Sequence, residues 1–241
     1  VSSAGDVNGD GLDDLIVGAF GVDLSGMSVA GTSYVVFGKA TTWAIDLADT
    51  GLDSATIGLI KSGATTGDDT LTGDARSEII VAGDGNDTLI GGGGSDVLKG
   101  GQGNDILIVN ADNVAKLSSA GPVDGLLSVF DGGGGEDVLQ LSGAGIALDF
   151  NTINSQRVQE IETFDLTGSG NNSLTITVQD LLDLNVDQNI LKVIGDSGDS
   201  VSATGFTDSG VNQTLGGVTY DVYTASGLTG AIWIEQGLAV V

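Results

Sequence analysis

Apolar residues follow two different periods along this chain. Residues 64–108 read in nines: ATTGDDTLT, GDARSEIIV, AGDGNDTLI, GGGGSDVLK and GGQGNDILI. The eighth position is always apolar, as Leu71, Ile80, Leu89, Leu98 and Leu107. The sixth is always acidic, as Asp69, Glu78, Asp87, Asp96 and Asp105. A detached copy, GGGGEDVLQ at 132–140, puts Asp137 and Leu139 in those places. A Gly-rich half-turn followed by alternating apolar residues makes one turn and one short strand per repeat. Successive strands are expected to stack as a parallel β-roll, alternate repeats lying on opposite sides. The position-eight side chain then points inward.

Elsewhere the period is two. Strands are predicted at 146–150, 161–166, 174–178, 190–194, 218–223 and 231–234, joined by Gly/Asn/Ser turns such as Gly168-Ser-Gly-Asn-Asn172. Short helices are predicted over 178–184 and 111–119. Near the start, Leu15-Ile-Val17 and Tyr34-Val-Val-Phe37 predict a β-hairpin with a long connection. Ile45, Leu47 and Leu52 are candidates for a further strand. The expected fold is therefore all-β, in three zones: 1–60, 61–140 and 141–241.

Composition narrows the function. The 241 residues include 33 Asp+Glu against 7 Lys+Arg, a formal charge of −26, with 41 Gly, 1 Pro and neither His nor Cys. Glycine without a three-residue period excludes collagen. Disulfides, Cys/His zinc sites and catalysis by His or Cys are excluded as well. So negative a surface repels phosphate, and nucleic acid is not an expected partner. Apolar residues make up 40%, enough for a core rather than a disordered chain. No run of eighteen apolar residues is present. No signal peptide is visible at the N-terminus. The lack of Cys fits a secreted bacterial protein.

The acids are grouped with Gly and Asn, which suggests cation ligands. In Asp6-Val-Asn-Gly-Asp-Gly-Leu-Asp-Asp14, oxygens alternate along a tight loop, as a hard Ca²⁺ ion requires. Asp6, Asn8, Asp10 and Asp14 would offer side-chain oxygens, and Leu12 its carbonyl. Position twelve is Val17 rather than Glu and a strand follows, so this is not an EF-hand. In the nonapeptides, the position-six Asp and the carbonyls of the Gly-rich turn would hold metal between neighbouring turns. Without metal the stacked carboxylates would repel, so folding should depend on Ca²⁺. Gly195-Asp-Ser-Gly-Asp199 is a further candidate calcium turn. Trp233, Tyr220 and Tyr223 are either core aromatics or the lining of a sugar or peptide site. No catalytic base or oxyanion arrangement can be argued, and an enzyme is not expected.

Three resemblances follow from these residues. The loop at 6–14, with Val17-Gly-Ala19 and Val36-Phe-Gly38, resembles one FG-GAP repeat, the blade of integrin-α-type propellers. One copy is no complete propeller, which implies a longer array around it or a blade capping the next zone. The nonapeptides resemble the RTX family, whose repeats bind Ca²⁺ in a β-roll. That resemblance implies ions shared by turns two repeats apart: Asp69 with Asp87, Asp87 with Asp105, and Asp96 with Glu78. The accompanying carbonyls would come from Gly83, Gly85, Gly92, Gly94, Gly100 and Gln102. Asp74, Arg76 and Glu78 replace Gly, Gly and Asp in the second repeat, which makes Arg76 a candidate to take the cation's place. Asp137 would close a further site if the 111–130 insert returns the chain to the roll. The third zone resembles the C-terminal cap of large bacterial RTX adhesins through Gln159-Glu-Ile-Glu162, Phe164 to Asn172, Gly195 to Val201 and Tyr220-Asp-Val-Tyr223. Those proteins leave by type I secretion, and Leu238-Ala-Val-Val241 fits an uncleaved export signal.

The resemblances imply a calcium-binding, extracellular or cell-surface region of an adhesin with several bound Ca²⁺ ions. It would be a monomer that engages the type I secretion machinery through its C-terminus. Other domains would meet a surface carbohydrate or protein. The rival expectations are a ligand-binding module for sugar or peptide, and a passive cap or spacer.

Overall fold

The computed structural model describes residues 2–5, 7, 14–19, 32–36, 65–123, 126–184 and 189–241. Near the N-terminus, β1 (Ser2–Gly5), β2 (Asp14–Ala19) and β3 (Thr32–Val36) form an antiparallel sheet. Leu15 faces Val36 and Val17 faces Tyr34 across the predicted hairpin. Ile45, Leu47 and Leu52 lie outside the described residues.

The nonapeptides form a parallel β-roll. β4 (Thr70–Thr72), β6 (Thr88–Ile90) and β8 (Ile106–Val109) lie on one side. β5 (Ile79–Asp84) and β7 (Val97–Gln102) lie on the other. Leu71, Leu89 and Leu107 stack in register on the first side, and Ile80 and Leu98 on the second. All five are buried. Each such side chain contributes about 1.5–3 kcal/mol when taken from water. The constant period makes this stack continuous.

After β8 comes an insert carrying α1 (Ala111–Leu117), the helix expected over 111–119. β9 (Val129–Gly134) then rejoins the second sheet with Phe130 opposite Leu98. β10 (Val138–Leu141) rejoins the first with Leu139 opposite Leu107. The chain therefore does return to the roll. Outside the second sheet, Ile79, Val97 and Leu126 form a small cluster with Val7 and Val129 against it.

The boundary expected after residue 140 falls inside a continuous parallel ladder. Beyond β10 lie β11 (Ala147–Asp149), a short 3-10 turn (Ser155–Arg157), β12 (Val158–Gln159) and β13 (Thr163–Asp165). β13 pairs parallel with β10, and β12 with β9. β14 (Ser173–Thr177), α2 (Val178–Asp183), β15 (Ile190–Ile194) and β16 (Ser200–Thr204) continue the winding. β11, β14, β16 and the terminal β20 (Ala239–Val240) make a third parallel sheet. The roll thus opens into a three-sided solenoid around one core, where Leu139, Leu148, Phe164, Leu174 and Val193 are fully buried. β17 (Thr207–Leu215), β18 (Val218–Thr224) and β19 (Ala231–Glu235) end the first sheet, β19 parallel to β15 and the other two as an antiparallel hairpin.

Candidate metal centre

Two rows of turns flank the roll. In the first, the position-six carboxylates of Asp87, Asp105 and Asp137 are each held by the coil before. The Asp69 amide donates to Asp87 Oδ1 (2.7 Å), Asp87 to Asp105 Oδ1 (2.8 Å), and Asp105 to Asp137 Oδ1 (2.7 Å). These bonds consume one oxygen of each carboxylate. The other oxygen, Oδ2 of Asp87, Asp105 and Asp137, is buried with no hydrogen-bond partner. A buried carboxylate oxygen without a partner costs several kcal/mol unless a cation meets it. Asp69, at the start of the row, instead accepts from the Thr65 amide and hydroxyl.

Glycine supplies the rest of this geometry. A Cβ at Gly100 would collide with both Asp105 Oδ2 and the Gly132 carbonyl oxygen. The two oxygens therefore converge on a space that only glycine leaves open. At Gly103, φ is +124°, and a Cβ would run into the Gly85 carbonyl of the preceding coil. The same holds between Gly101 and the Gly83 carbonyl.

The second row is shorter. The Glu78 amide donates to Asp96 Oδ1 at 2.8 Å. Glu78 Oε2 lies 2.8 Å from where a Cβ of Gly73 would be, beside the Gly91 carbonyl. Arg76, the candidate for the cation's place, has its affinity for its proton raised by Asp74 first and also by the Glu78 charge. Its guanidinium forks onto Asp74 at the exposed rim, Nε to Oδ1 at 3.0 Å and Nη2 to Oδ2 at 2.6 Å. That pair holds the Asp74 carboxyl well below the usual range.

At Asp96 the row is closed by a side chain that sequence reading missed. Asn113 Nδ2 donates to Asp96 Oδ2 at 2.7 Å and to the Gly94 carbonyl at 3.2 Å. Asn113 is at the third position of α1, where its Oδ1 accepts from the Asn110 amide to complete a capping box. Asn110 Nδ2 in turn donates to the Gly92 carbonyl at 3.0 Å. Gly92 and Gly94, expected as carbonyl donors to metal, thus give their carbonyls to the start of α1. The Gln102 carbonyl likewise accepts from the Gly85 amide at 2.9 Å. A capping box was the only sequence signal available for Asn113.

Electrostatics mark the same carboxylates. Burial pushes Asp96 up to about 8, with the Glu78 charge adding to it. Burial pushes Asp137 up to about 7, and Asp105, Glu162 and Asp131 add repulsion. Asp105 is also raised, by burial and then by Asp87. Among the described residues no three acidic side chains meet at one point. The donors at each turn are carboxylates mixed with backbone carbonyls. That all-oxygen set fits Ca²⁺, which accepts irregular carbonyl and carboxylate coordination.

Residues 72–107 match the RTX calcium-binding nonapeptide repeat in four copies. This stretch is similar to an RTX calcium-binding array. It binds Ca²⁺ at multiple sites. Residues 1–36 match the FG-GAP repeat. No curated protein and no solved structure matches the chain. Both kinds of repeat suggest a secreted or surface protein. Among the described residues no helix is long and apolar enough to cross a membrane.

Other expected sites fare differently. Asp6, Asn8, Asp10 and Leu12 lie outside the described residues, and Asp14 opens β2. Beyond the RTX array, Asp199 is buried, but both its oxygens already accept amides: Oδ1 from Asn172 (2.7 Å) and Oδ2 from Asp196 (2.7 Å). No oxygen is left over there, unlike at Asp105. Tyr220 packs against Trp233 with ring centroids 6.2 Å apart, and Tyr223 packs on the core. These aromatics stabilise the hairpin end.

Proposed function

We propose that Ca²⁺ capture by the first row of turns drives folding of the roll outside the cell, and that this supports export through a type I system. The carrying observation is the buried, unpartnered Oδ2 of Asp87, Asp105 and Asp137. Asp87, Asp105, Asp137 and the Gly132 carbonyl would hold ions along this row, and Asp96 with Glu78 along the other. Bound Ca²⁺ supplies the positive charge that lets these carboxylates stay ionised in the interior. The chain's own part is to fix each carboxylate by a backbone amide and to exclude side chains at Gly100. Where free Ca²⁺ is scarce, the charge of −26 keeps the chain open.

On this reading the chain is the C-terminal region of an RTX adhesin and has no catalytic role. It acts as a monomer on the outside of a bacterium, and other domains meet the carbohydrate or protein ligand. The test is a Ca²⁺ titration of metal-free protein followed by circular dichroism, with Mg²⁺ and chelator controls. A cooperative gain of β signal with Ca²⁺ alone is expected. A signal indifferent to chelator would remove the reading. Export is checked separately: Asp87→Asn, Asp96→Asn and Asp105→Asn combined should lower secretion, and undiminished secretion would separate folding from export.

A further inference from the structure

Glu160 and Glu162 lie outside the matched repeats and outside the nonapeptide spacing. Only three residues, 160–162, connect β12 to β13. This short turn is possible because Glu160 has φ of +51°, a left-handed conformation uncommon for a residue with a side chain. Strained backbone of this kind tends to accompany function.

The turn nonetheless occupies the next place in the first row. The Asp137 amide donates to Glu162 Oε2 at 2.8 Å, as the Asp105 amide does to Asp137 Oδ1. Glu162 is buried. The Glu160 carbonyl points to the space beside Gly132, where a Cβ would collide with it and would lie 2.6 Å from Asp137 Oδ2. The same arrangement recurs one coil earlier, where Gly100 faces Asp105 Oδ2 and the Gly132 carbonyl. Asp137 itself is fully buried, and its Oδ2 has no partner. An orphaned carboxylate oxygen, a converging carbonyl and a second buried carboxylate on the next coil make up a cation-binding set.

We infer that the calcium row extends one coil beyond the nonapeptides, with a Ca²⁺ site formed by Asp137, the Glu160 carbonyl and Glu162. The site joins the RTX array to the solenoid that follows, because its donors come from the β9–β10 turn and the β12–β13 turn. It rests on the calcium reading proposed above. Lys192 pairs with Glu136 at the outer rim.

The test compares the full chain with Glu162→Gln, whose amide oxygen still accepts the Asp137 amide. Metal-free protein is loaded with CaCl₂ and desalted, and bound calcium is counted by elemental analysis. Melting is followed with and without Ca²⁺. Glu162→Gln should bind one Ca²⁺ fewer per chain, melt higher than the parent without metal and lower with it. An unchanged count overturns the inference. So does a variant that melts lower both with and without Ca²⁺, which would make Glu162 a hydrogen-bond acceptor only. If the parent chain takes up no Ca²⁺ at all, the broader calcium reading fails, and this extension with it. Loss of one ion from Asp105→Asn but none from Glu162→Gln overturns the extension alone.

Discussion

Raising the pH of the metal-free protein should unfold the roll, the reverse of what most acidic proteins do. The perturbation is a rise from pH 5 to pH 9 with calcium removed. Asp96 is the clearest case, since burial raises it from 3.8 to about 8. Below pH 3.8 its carboxyl is neutral both folded and unfolded, and burial carries no ionic penalty. As the pH climbs, the unfolded chain ionises first, and the folded form loses relative stability until its own group ionises near 8. At about 1.4 kcal/mol per tenfold change in acidity, the full loss at Asp96 is on the order of 5 kcal/mol. Asp137, raised to about 7, and Asp105, raised by burial, push in the same direction. A domain's whole stability is roughly 5–15 kcal/mol, so these carboxylates decide whether the metal-free roll folds at all. A single ion at 1,000 times its dissociation constant returns about 4 kcal/mol. Several ions therefore more than offset the penalty. Thermal melts by circular dichroism at pH 5, 7 and 9, with and without CaCl₂, measure this. Without calcium the melting temperature should fall steadily with pH, and with calcium it should stay nearly flat. A metal-free melting temperature that is level or rising from pH 5 to pH 9 would refute the argument.

Further outcomes follow from individual side chains. Asp105→Asn keeps an acceptor for the Asp87 amide but removes the orphaned charge. It should weaken Ca²⁺ binding at least tenfold in calorimetry while raising the metal-free melting temperature. Asn113→Ala leaves Asp96 Oδ2 and the Gly94 carbonyl without their donor and breaks the cap of α1. It should cost about 2–4 kcal/mol in urea denaturation at saturating Ca²⁺. Gly103→Ala must accept φ of +124° and a backbone collision with Gly85, and should lose more than ~2 kcal/mol by the same measurement. Asp199→Asn replaces one of two amide-accepting oxygens with a donor, so it should destabilise by about 1–3 kcal/mol yet leave the calcium count unchanged.

What could be read from the sequence was whatever repeats locally. The position-eight residues set the two sides of the roll, and Leu71 does lie opposite Leu89, as Leu89 lies opposite Leu107. The strands of the third zone were visible as well, because Leu174-Thr-Ile-Thr-Val178 alternates. Their pairing was not visible. Coils there no longer keep the spacing of 18 residues seen from Asp87 to Asp105, and the step from Asp137 to Glu162 is 25. Parallel pairing joins residues far apart, so a changing coil length hides it. β9 and β16 went unpredicted because Asp131-Gly-Gly-Gly-Gly135 and Gly198-Asp-Ser200 read as turns. The site shows the same division. Asp87, Asp105 and Asp137 announce themselves by the motif. Glu162 does not, since its turn has shrunk to three residues. Asn113 does not either, since its partner Asp96 is 17 residues away in the chain.

The hairpin at the far end of the first sheet gives the solenoid a direction. Coils add to a parallel sheet only by laying another parallel strand on its edge. Beyond β19 on this sheet edge lies β18, which runs against the winding, and then β17, antiparallel to β18. β17 is exposed along its whole length, and its register slips between Asp208 and Asn212. A kinked, antiparallel edge is a poor template for another coil or another molecule. Extra repeats can therefore be inserted ahead of β17 without altering this end of the sheet. Length becomes a quantity that evolution can change in whole coils, with the stop left in place.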